Sequence, residues 1–226
     1  MKKIIFMVGI SLINLIIISN VKASEMENVK YFKTVINTIT NYSQTYEVTE
    51  REFNNANEME LYSALHITEY KKISISKLST GNISLKLEWE KNPAVRSYDV
   101  IALRGEGVSF NSATLDGKQI YIKNGNQETI NYTKNSNNTQ IFENGVGISM
   151  NLVDGATKYI LRLNIQYTKE NNNATIYGSY QHSQRNITLN QSKHYILSSS
   201  GLGNVLAFDS TVKSYFDGMG GVFINV

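Results

Sequence analysis

The side chains of this sequence that could carry chemistry are three histidines, a few closely spaced acids and a short run of serines. His66, His182 and His194 form no H-E-x-x-H pair, and the chain has no cysteine, so a zinc site would have to recruit distant carboxylates. The serines at 198–200 lack the G-x-S-x-G pattern of a hydrolase elbow. We therefore assign no catalytic residue, no metal ligand and no cofactor from the sequence.

Two pairs of acidic residues offer weaker alternatives. Glu88 and Glu90 share one strand face beside Trp89, and paired carboxylates of this kind can hydrolyse glycosidic bonds. Asp209 and Asp217 could bind calcium together with backbone carbonyls. Because solvated strand faces and turns use the same residue types, we expect the first pair on a wet face and the second pair in turns.

Aromatic side chains give a stronger indication of binding, since the chain has 14 tyrosines and one tryptophan. Tyrosine is common on binding surfaces because one end of the ring is apolar and the other is wet. We select Trp89, Tyr177, Tyr180 and His182 as weak candidates for a surface on which rings would stack on sugars. Tyr177 and Tyr180 lie on opposite faces of one predicted strand, so at least one could be exposed. Alternatively, each tyrosine simply packs in a sheet.

The first 23 residues have the pattern of a secretory signal peptide. Lys2 and Lys3 precede an apolar stretch over residues 4–19, and small residues at Val21 and Ala23 form a cleavage site. The apolar stretch is shorter than the roughly 20 residues of a membrane-spanning helix. We expect a protein that is cleaved after Ala23 and secreted, and the abundance of Asn, Ile and Lys favours a bacterial source.

Charge argues against two classes of partner. Three of the 22 Lys and Arg residues lie in the leader, so the rest of the chain balances its 19 acidic residues. Without a basic excess, neither nucleic-acid binding nor a polybasic membrane anchor is supported. The remaining chain is long enough to bury a core without disulfides.

Hydrophobic spacing predicts different structures in the two parts of the chain. Near the start, the spacing of apolar residues predicts a helix over residues 28–43, and residues 56–70 could form a second helix or a strand. From about residue 71 the period becomes two, as in Ile83-x-Leu85-x-Leu87-x-Trp89.

Turn dipeptides such as Asp116-Gly117, Asn124-Gly125 and Asp154-Gly155 separate these runs. The pattern predicts a mostly β protein, an antiparallel β-sandwich or partly open barrel with one or two short N-terminal helices. We divide the chain into a signal peptide (1–23), an N-terminal segment with a possible helix (24–70) and an antiparallel β domain (71–226).

Residues 157–182 allow a second interpretation. One face of a nine-residue strand is wholly apolar, and a polar turn at 169–173 leads into a further strand over 174–182. Nine to eleven alternating residues is the length that a membrane β-hairpin needs, as in secreted pore-forming toxins. An ordinary sandwich hairpin gives the same pattern. The membrane-facing residues would be Tyr159, Leu161, Leu163, Ile165 and Tyr167.

Three functions remain open from the sequence. The first is a secreted, non-catalytic β-sandwich that binds an extracellular glycan or surface protein. The second is a small pore-forming toxin that inserts the hairpin around 157–182 into a membrane. The third is a secreted hydrolase whose carboxylate site, drawn from Glu88, Glu90 and Asp209, is assembled in space.

Overall fold

Two antiparallel sheets form the body of the protein. A computed structural model of the chain describes residues 27–40, 42–56, 66–198 and 204–226. The larger sheet has seven strands, and every neighbouring pair is antiparallel. In spatial order they are β2 (Ser43–Val48), β1 (Glu27–Asn37), β3 (His66–Ser79), β4 (Asn82–Lys91), β10 (Lys158–Lys169), β6 (Val108–Lys123) and β7 (Asn126–Tyr132).

A second sheet of five strands packs against the first. Its strands, again in spatial order, are β14 (Val222–Asn225), β11 (Thr175–Gln181), β5 (Tyr98–Glu106), β9 (Gly145–Asn151) and β8 (Thr139–Phe142). The predicted mostly β, sandwich-like fold is confirmed. The remaining elements are two short helices, α1 (Glu50–Asn54) and α2 (Leu189–Ser192), the ribbon of β12 (Tyr195–Leu197) with β13 (Leu206–Phe208), and a 3-10 turn at Lys213–Tyr215.

The main core lies between the two sheets. Successive side chains of a strand point to opposite faces, so Leu85 and Leu87 of β4 enter the core while Lys86 between them lies on the other face. Gly178 in β11 leaves room for this packing, because a Cβ atom there would lie 2.4 Å from Cδ1 of Leu85. Gly178 thus makes space for the Leu85 side chain of the facing sheet.

The predicted helix over residues 28–43 is wrong. Residues 27–37 form β1, which pairs with β3 along its whole length and with β2 on its other side. The β-branched residues Val35 and Ile36 fit a pleated strand better than a helix. β1 and β2 therefore extend the same sheet as β3 and β4.

The short N-terminal helix lies further along the chain. It is α1, which begins after Thr49, whose side chain accepts a hydrogen bond from the backbone N–H of Glu52 at 3.2 Å. Of the segment predicted as a second helix or a strand, residues 57–65 lie outside the described residues and residues 66–70 begin β3.

Residues 157–182 do not form a hairpin. β10 pairs with β4 and β6 in the larger sheet, whereas β11 pairs with β5 and β14 in the smaller one. The chain between them crosses from one sheet to the other. The alternation of β10 is thus that of a central sandwich strand, and its apolar face is buried in the main core; these side chains are Tyr159, Leu161, Leu163, Ile165 and Tyr167.

One predicted turn forms and another does not. Asn124-Gly125 connects β6 and β7 with both residues at positive φ, 52° and 79°. Asp116-Gly117 lies inside β6, close to where the register with β10 shifts between Asn164 and Gln166. A Cβ atom on Gly117 would lie 2.4 Å from Cδ1 of Ile148, so this glycine allows close packing rather than a turn.

The sequence did not predict a third layer. Residues 183–198 and 204–217, here called the outer segment, cover the outer face of the smaller sheet. Val100 and Ala102 of β5 therefore face a second core, so β5 is buried on both faces. The outer segment contributes Ile187, Tyr195, Val205, Leu206, Val212 and Phe216 to this core.

Among the described residues, no helix has the length and apolar character to cross a membrane.

We expect Gly145→Ala to destabilise the protein by about 1–3 kcal/mol, because this change overpacks the smaller sheet. A Cβ atom on Gly145 would lie 2.3 Å from the carbonyl oxygen of Leu103 in the neighbouring strand. Gly220→Ala is the matched control, since its Cβ would meet Phe32 at 3.5 Å, an ordinary contact. Urea unfolding of both variants measures the difference, and equal stability would contradict this packing.

Candidate functional site

Three of the four residues selected as a binding surface meet inside the protein. The indole of Trp89 packs edge-on against the imidazole of His182, with ring centroids 4.9 Å apart, and against the phenol of Tyr180 at 6.3 Å. All three side chains are at most 2% exposed. In this structure they contact one another and not solvent, so Trp89, Tyr180 and His182 do not form the exposed binding surface for which they were selected.

Charged side chains surround these rings. We call Glu69, Lys71, Asp99, His182 and Asp217 the charged cluster; each is buried. Glu69 and Lys71 are there because β3 continues its inward-facing alternation beyond its apolar part. Asp99 is the second residue of β5, His182 follows β11, and Asp217 ends the outer segment. The cluster thus draws on both sheets and on the third layer.

The ammonium group of Lys71 is the cation at the centre of this cluster. It forms an ion pair with the carboxylate of Asp217 and lies 4.9 Å from the centroid of the Trp89 ring. Asp217 also accepts the backbone N–H of His182 at 3.1 Å. A single buried pair therefore links β3 to the residues that follow β11.

Asp99 joins the same region to β5. Its carboxylate accepts hydrogen bonds from the Tyr180 hydroxyl and, at 3.0 Å, from the backbone N–H of Ser183, and it lies 2.9 Å from Nδ1 of His182. Burial and the negative charge of Asp99 together raise the pKa of Tyr180 well above its usual value, so the phenol stays a donor.

The environment of His182 favours its protonated form. Burial by itself lowers its pKa, but the carboxylates of Asp99 and Glu69 outweigh burial, so the pKa is raised from the ordinary 6.5. Its Nε2 lies 3.9 Å from Oε1 of Glu69. The carboxyl groups of Glu69, Asp99 and Asp217 share the cluster with a single lysine. A proton on His182 therefore reduces the excess of negative charge. Histidine–aspartate pairs orient catalytic imidazoles in hydrolases, but this pair is enclosed and acts on the fold.

Tyr177 is the predicted binding residue that reaches the surface. Its hydroxyl donates to Glu106 at 3.1 Å, and the guanidinium carbon of Arg104 lies 5.4 Å from its ring centroid. Its ring also contacts Phe223, with centroids 6.1 Å apart. The polar end and one face of Tyr177 are thus already used by neighbouring side chains.

The structure places Glu88, Asp209 and Asp217 in three different surroundings. Glu88 lies on the outer face of the larger sheet, where it pairs with Lys86 at 2.9 Å. Asp209 caps a turn by accepting the backbone N–H of Thr211, and this hydrogen bond lowers its pKa. Asp217 is in the charged cluster, away from solvent. Among the described residues, no group of three or more His, Asp and Glu side chains is arranged to hold a metal ion.

An open groove of about 550 Å³ runs along the ribbon of β12 and β13, a size that suits a small ligand. Much of its polar and aromatic lining is already engaged: Lys193 donates to the carbonyl of Asn137, and Tyr195 packs on Phe142 and Phe208. The exposed side chains of its lining are those of His194, Ile196 and Asp209. Its lining comprises Lys193, His194, Tyr195, Ile196, Ala207, Phe208 and Asp209.

A different aromatic surface lies on β2. Gln44 and Tyr46 lie on the solvent side of this strand and Tyr42 immediately precedes it; we call these three residues the tyrosine face. Tyr42 is 63% exposed and Tyr46 is 48% exposed. The Tyr46 hydroxyl donates to the side-chain carbonyl of Gln44, whose amide nitrogen donates to the Tyr42 hydroxyl at 3.3 Å. These bonds link the hydroxyls of both exposed rings to the Gln44 amide.

The surroundings of the tyrosine face are electrically balanced. Lys33 lies opposite Tyr46 in the sheet, but its ammonium is 3.6 Å from the carboxylate of Glu52 and 5.6 Å from the centroid of the Tyr70 ring. The cation nearest to this face in the β1–β2 ladder is therefore compensated, and the face presents aromatic carbon, an amide and hydroxyls.

Sequence reasoning missed the tyrosine face because it assigned Tyr42 to the end of a helix. The period-two spacing of Tyr42, Gln44 and Tyr46 was the signal that could have placed them on one side of a strand. No protein-family model matches this chain, and a search of curated proteins finds no relative. The site must therefore be judged on its own geometry.

We expect Lys71→Met to destabilise the protein by about 3–5 kcal/mol, because Asp217 would remain buried without its cation. The double variant Lys71→Met/Asp217→Asn should lose less than the sum of the two single changes, since it removes both charges. Urea unfolding of the four proteins gives the coupling. Strictly additive losses would contradict the buried pair.

The stability that His182 contributes should depend on pH in a defined direction. Because the folded pKa is raised, the contribution is complete below the ordinary value of 6.5 and is lost as pH rises through the folded value. The destabilisation caused by His182→Gln should therefore be larger in acid than in base. Urea unfolding from about pH 5 to about pH 9 measures it. A difference that stays constant, or grows with pH, would contradict the assignment.

Proposed function

We propose that this protein is a secreted, non-catalytic glycan-binding protein and that the tyrosine face is its binding surface. The observation that carries this proposal is the pair of exposed rings, Tyr42 and Tyr46, each restrained by a hydrogen bond between its hydroxyl and the Gln44 amide. Rings fixed before binding lose little conformational entropy on binding.

The chemistry of the tyrosine face fits a carbohydrate. A sugar ring presents C–H groups on its faces and hydroxyls on its edges, which match aromatic carbon and amide or phenol groups. Four residues along a strand span about 13 Å, so the two rings can contact different sugar units of one chain. The compensation of Lys33 by Glu52 favours a neutral glycan over an acidic one.

The rest of the molecule supports binding over catalysis. The residues with catalytic potential, such as Asp99 and His182, are enclosed in the charged cluster. The sequence pattern of residues 1–23 supports export, where glycans of other cells are accessible. The pore-forming alternative needs a hairpin from residues 157–182, but their two strands belong to different sheets, so no structural observation favours it.

We expect the double variant Tyr42→Ala/Tyr46→Ala to lose glycan binding at least about tenfold. Each aromatic contact contributes about 0.5–1.5 kcal/mol beyond its buried area, and both would be removed. A glycan array with protein residues 24–226 identifies a bound sugar, and calorimetry on that sugar measures the loss. Because both side chains are exposed, the variant should unfold at the same urea concentration as the wild type.

Two matched controls locate the site. Ile196→Ala removes the exposed isoleucine of the groove, and Tyr177→Phe removes the hydroxyl of a half-buried tyrosine; both should bind like the wild type. Loss of binding in Ile196→Ala with retention in the double variant would move the site to the groove. If the protein binds a cell-surface protein and no glycan, the ligand is a surface protein and the proposed glycan ligand is wrong.

A further inference from the structure

The outer backbone edge of β2 is regular and is paired only with β1 among the described residues. The backbone N–H of Asn37 donates to the carbonyl of Tyr42 at 2.8 Å. Hydrogen-bonded pairs alternate along an antiparallel ladder, so Gln44 and Tyr46 also direct their backbone groups toward β1. The backbone groups of Ser43, Thr45 and Glu47 consequently point away from the sheet.

This edge lacks the usual protection against pairing. Edge strands are generally blunted by lysine, proline, a bulge or short length. β2 contains no lysine and no proline, and its register with β1 runs unbroken from Ser43 to Val48. By comparison, β8 and β14, at the edges of the smaller sheet, have four residues each.

We propose that two copies of this protein pair through β2, antiparallel and centred on Thr45, so that their larger sheets become continuous. In this register Ser43 lies opposite Glu47 of the second copy, and Thr45 lies opposite its own equivalent. All three outward-facing residues of each strand then form backbone hydrogen bonds. No other register of this strand with itself uses all three.

The side chains agree with the same register. The single charged residue of β2, Glu47, faces Ser43 of the second copy, so like charges do not meet. Gln44 faces Tyr46 of the second copy, the residue pair that is already hydrogen-bonded within one strand. Tyr42 faces Val48 of the second copy, where an exposed ring gains an apolar neighbour.

Pairing would also join two tyrosine faces. The two-fold axis stands perpendicular to the sheet in this register, so both faces lie on the same side of the joined sheet. A glycan chain could then contact tyrosines of both copies, and a dimer would bind repeated glycans with higher avidity. The dimer itself does not depend on the proposed function and can be tested without a ligand.

Sedimentation velocity of residues 24–226 over a wide concentration range tests the proposal. Thr45→Pro removes an outward N–H without removing one that bonds to β1, and should weaken dimerisation at least about tenfold. Thr45→Val is the matched control, because it keeps the N–H and loses only the hydroxyl contact with Thr34 at 2.9 Å. It should dimerise like the wild type.

A second pair of variants tests the register and does not rely on proline. Ser43→Glu places like charges opposite each other and should weaken the dimer, while Ser43→Glu/Glu47→Gln should restore it. A wild type that stays monomeric, or a Thr45→Pro variant that dimerises normally, would overturn the proposal. A monomer that still binds glycan through Tyr42 and Tyr46 would overturn the dimer and leave the proposed function intact. A dimer that binds no glycan would support the dimer and overturn the proposed function.

Discussion

The buried ion pair between Lys71 and Asp217 is the interaction on which the rest of this structure depends. A charge enclosed in a protein without its partner costs several kcal/mol, so the two groups must stay together whenever the protein is folded. Lys71 belongs to the larger sheet, whereas Asp217 ends the outer segment and leads into the smaller sheet. Through His182 and Asp99 the same network continues into β11 and β5. Three layers are thus fixed relative to one another at one place.

In this arrangement the charged cluster, whose residue types could perform catalysis, is buried, whereas the tyrosine face is accessible. The residues that most resemble catalytic groups, His182 and Asp99, are used to hold the interior together. Accessible aromatic groups lie instead at the periphery, on an edge strand whose sheet is anchored by the cluster. Tyr42 and Tyr46 have exposed rings at this edge. If they bind the ligand, as we propose, the outward backbone groups of β2 stay available for pairing.

The sequence predicted those parts of the fold in which one strand face is dry and the other wet. Leu85 in β4 and Leu163 in β10 stood in clean alternation and proved to be core residues. β1 was missed because its apolar residues occupy both faces of the strand, at spacings that imitate a helical period. The outer segment was missed because the sequence around Val100 does not indicate that a second layer covers this residue. Lys71 and Asp217 are 146 residues apart, and no sequence pattern announces such a contact.

Hydrogen–deuterium exchange of Lys71→Met beside the wild type tests most directly whether the charged cluster holds the layers together. If it does, amides of the outer segment, including those of Ile187 and Val205, lose protection together with the end of β11, although none of them contacts Lys71 through a hydrogen bond. Faster exchange confined to β3 around residue 71, with the outer segment unchanged, would contradict the account.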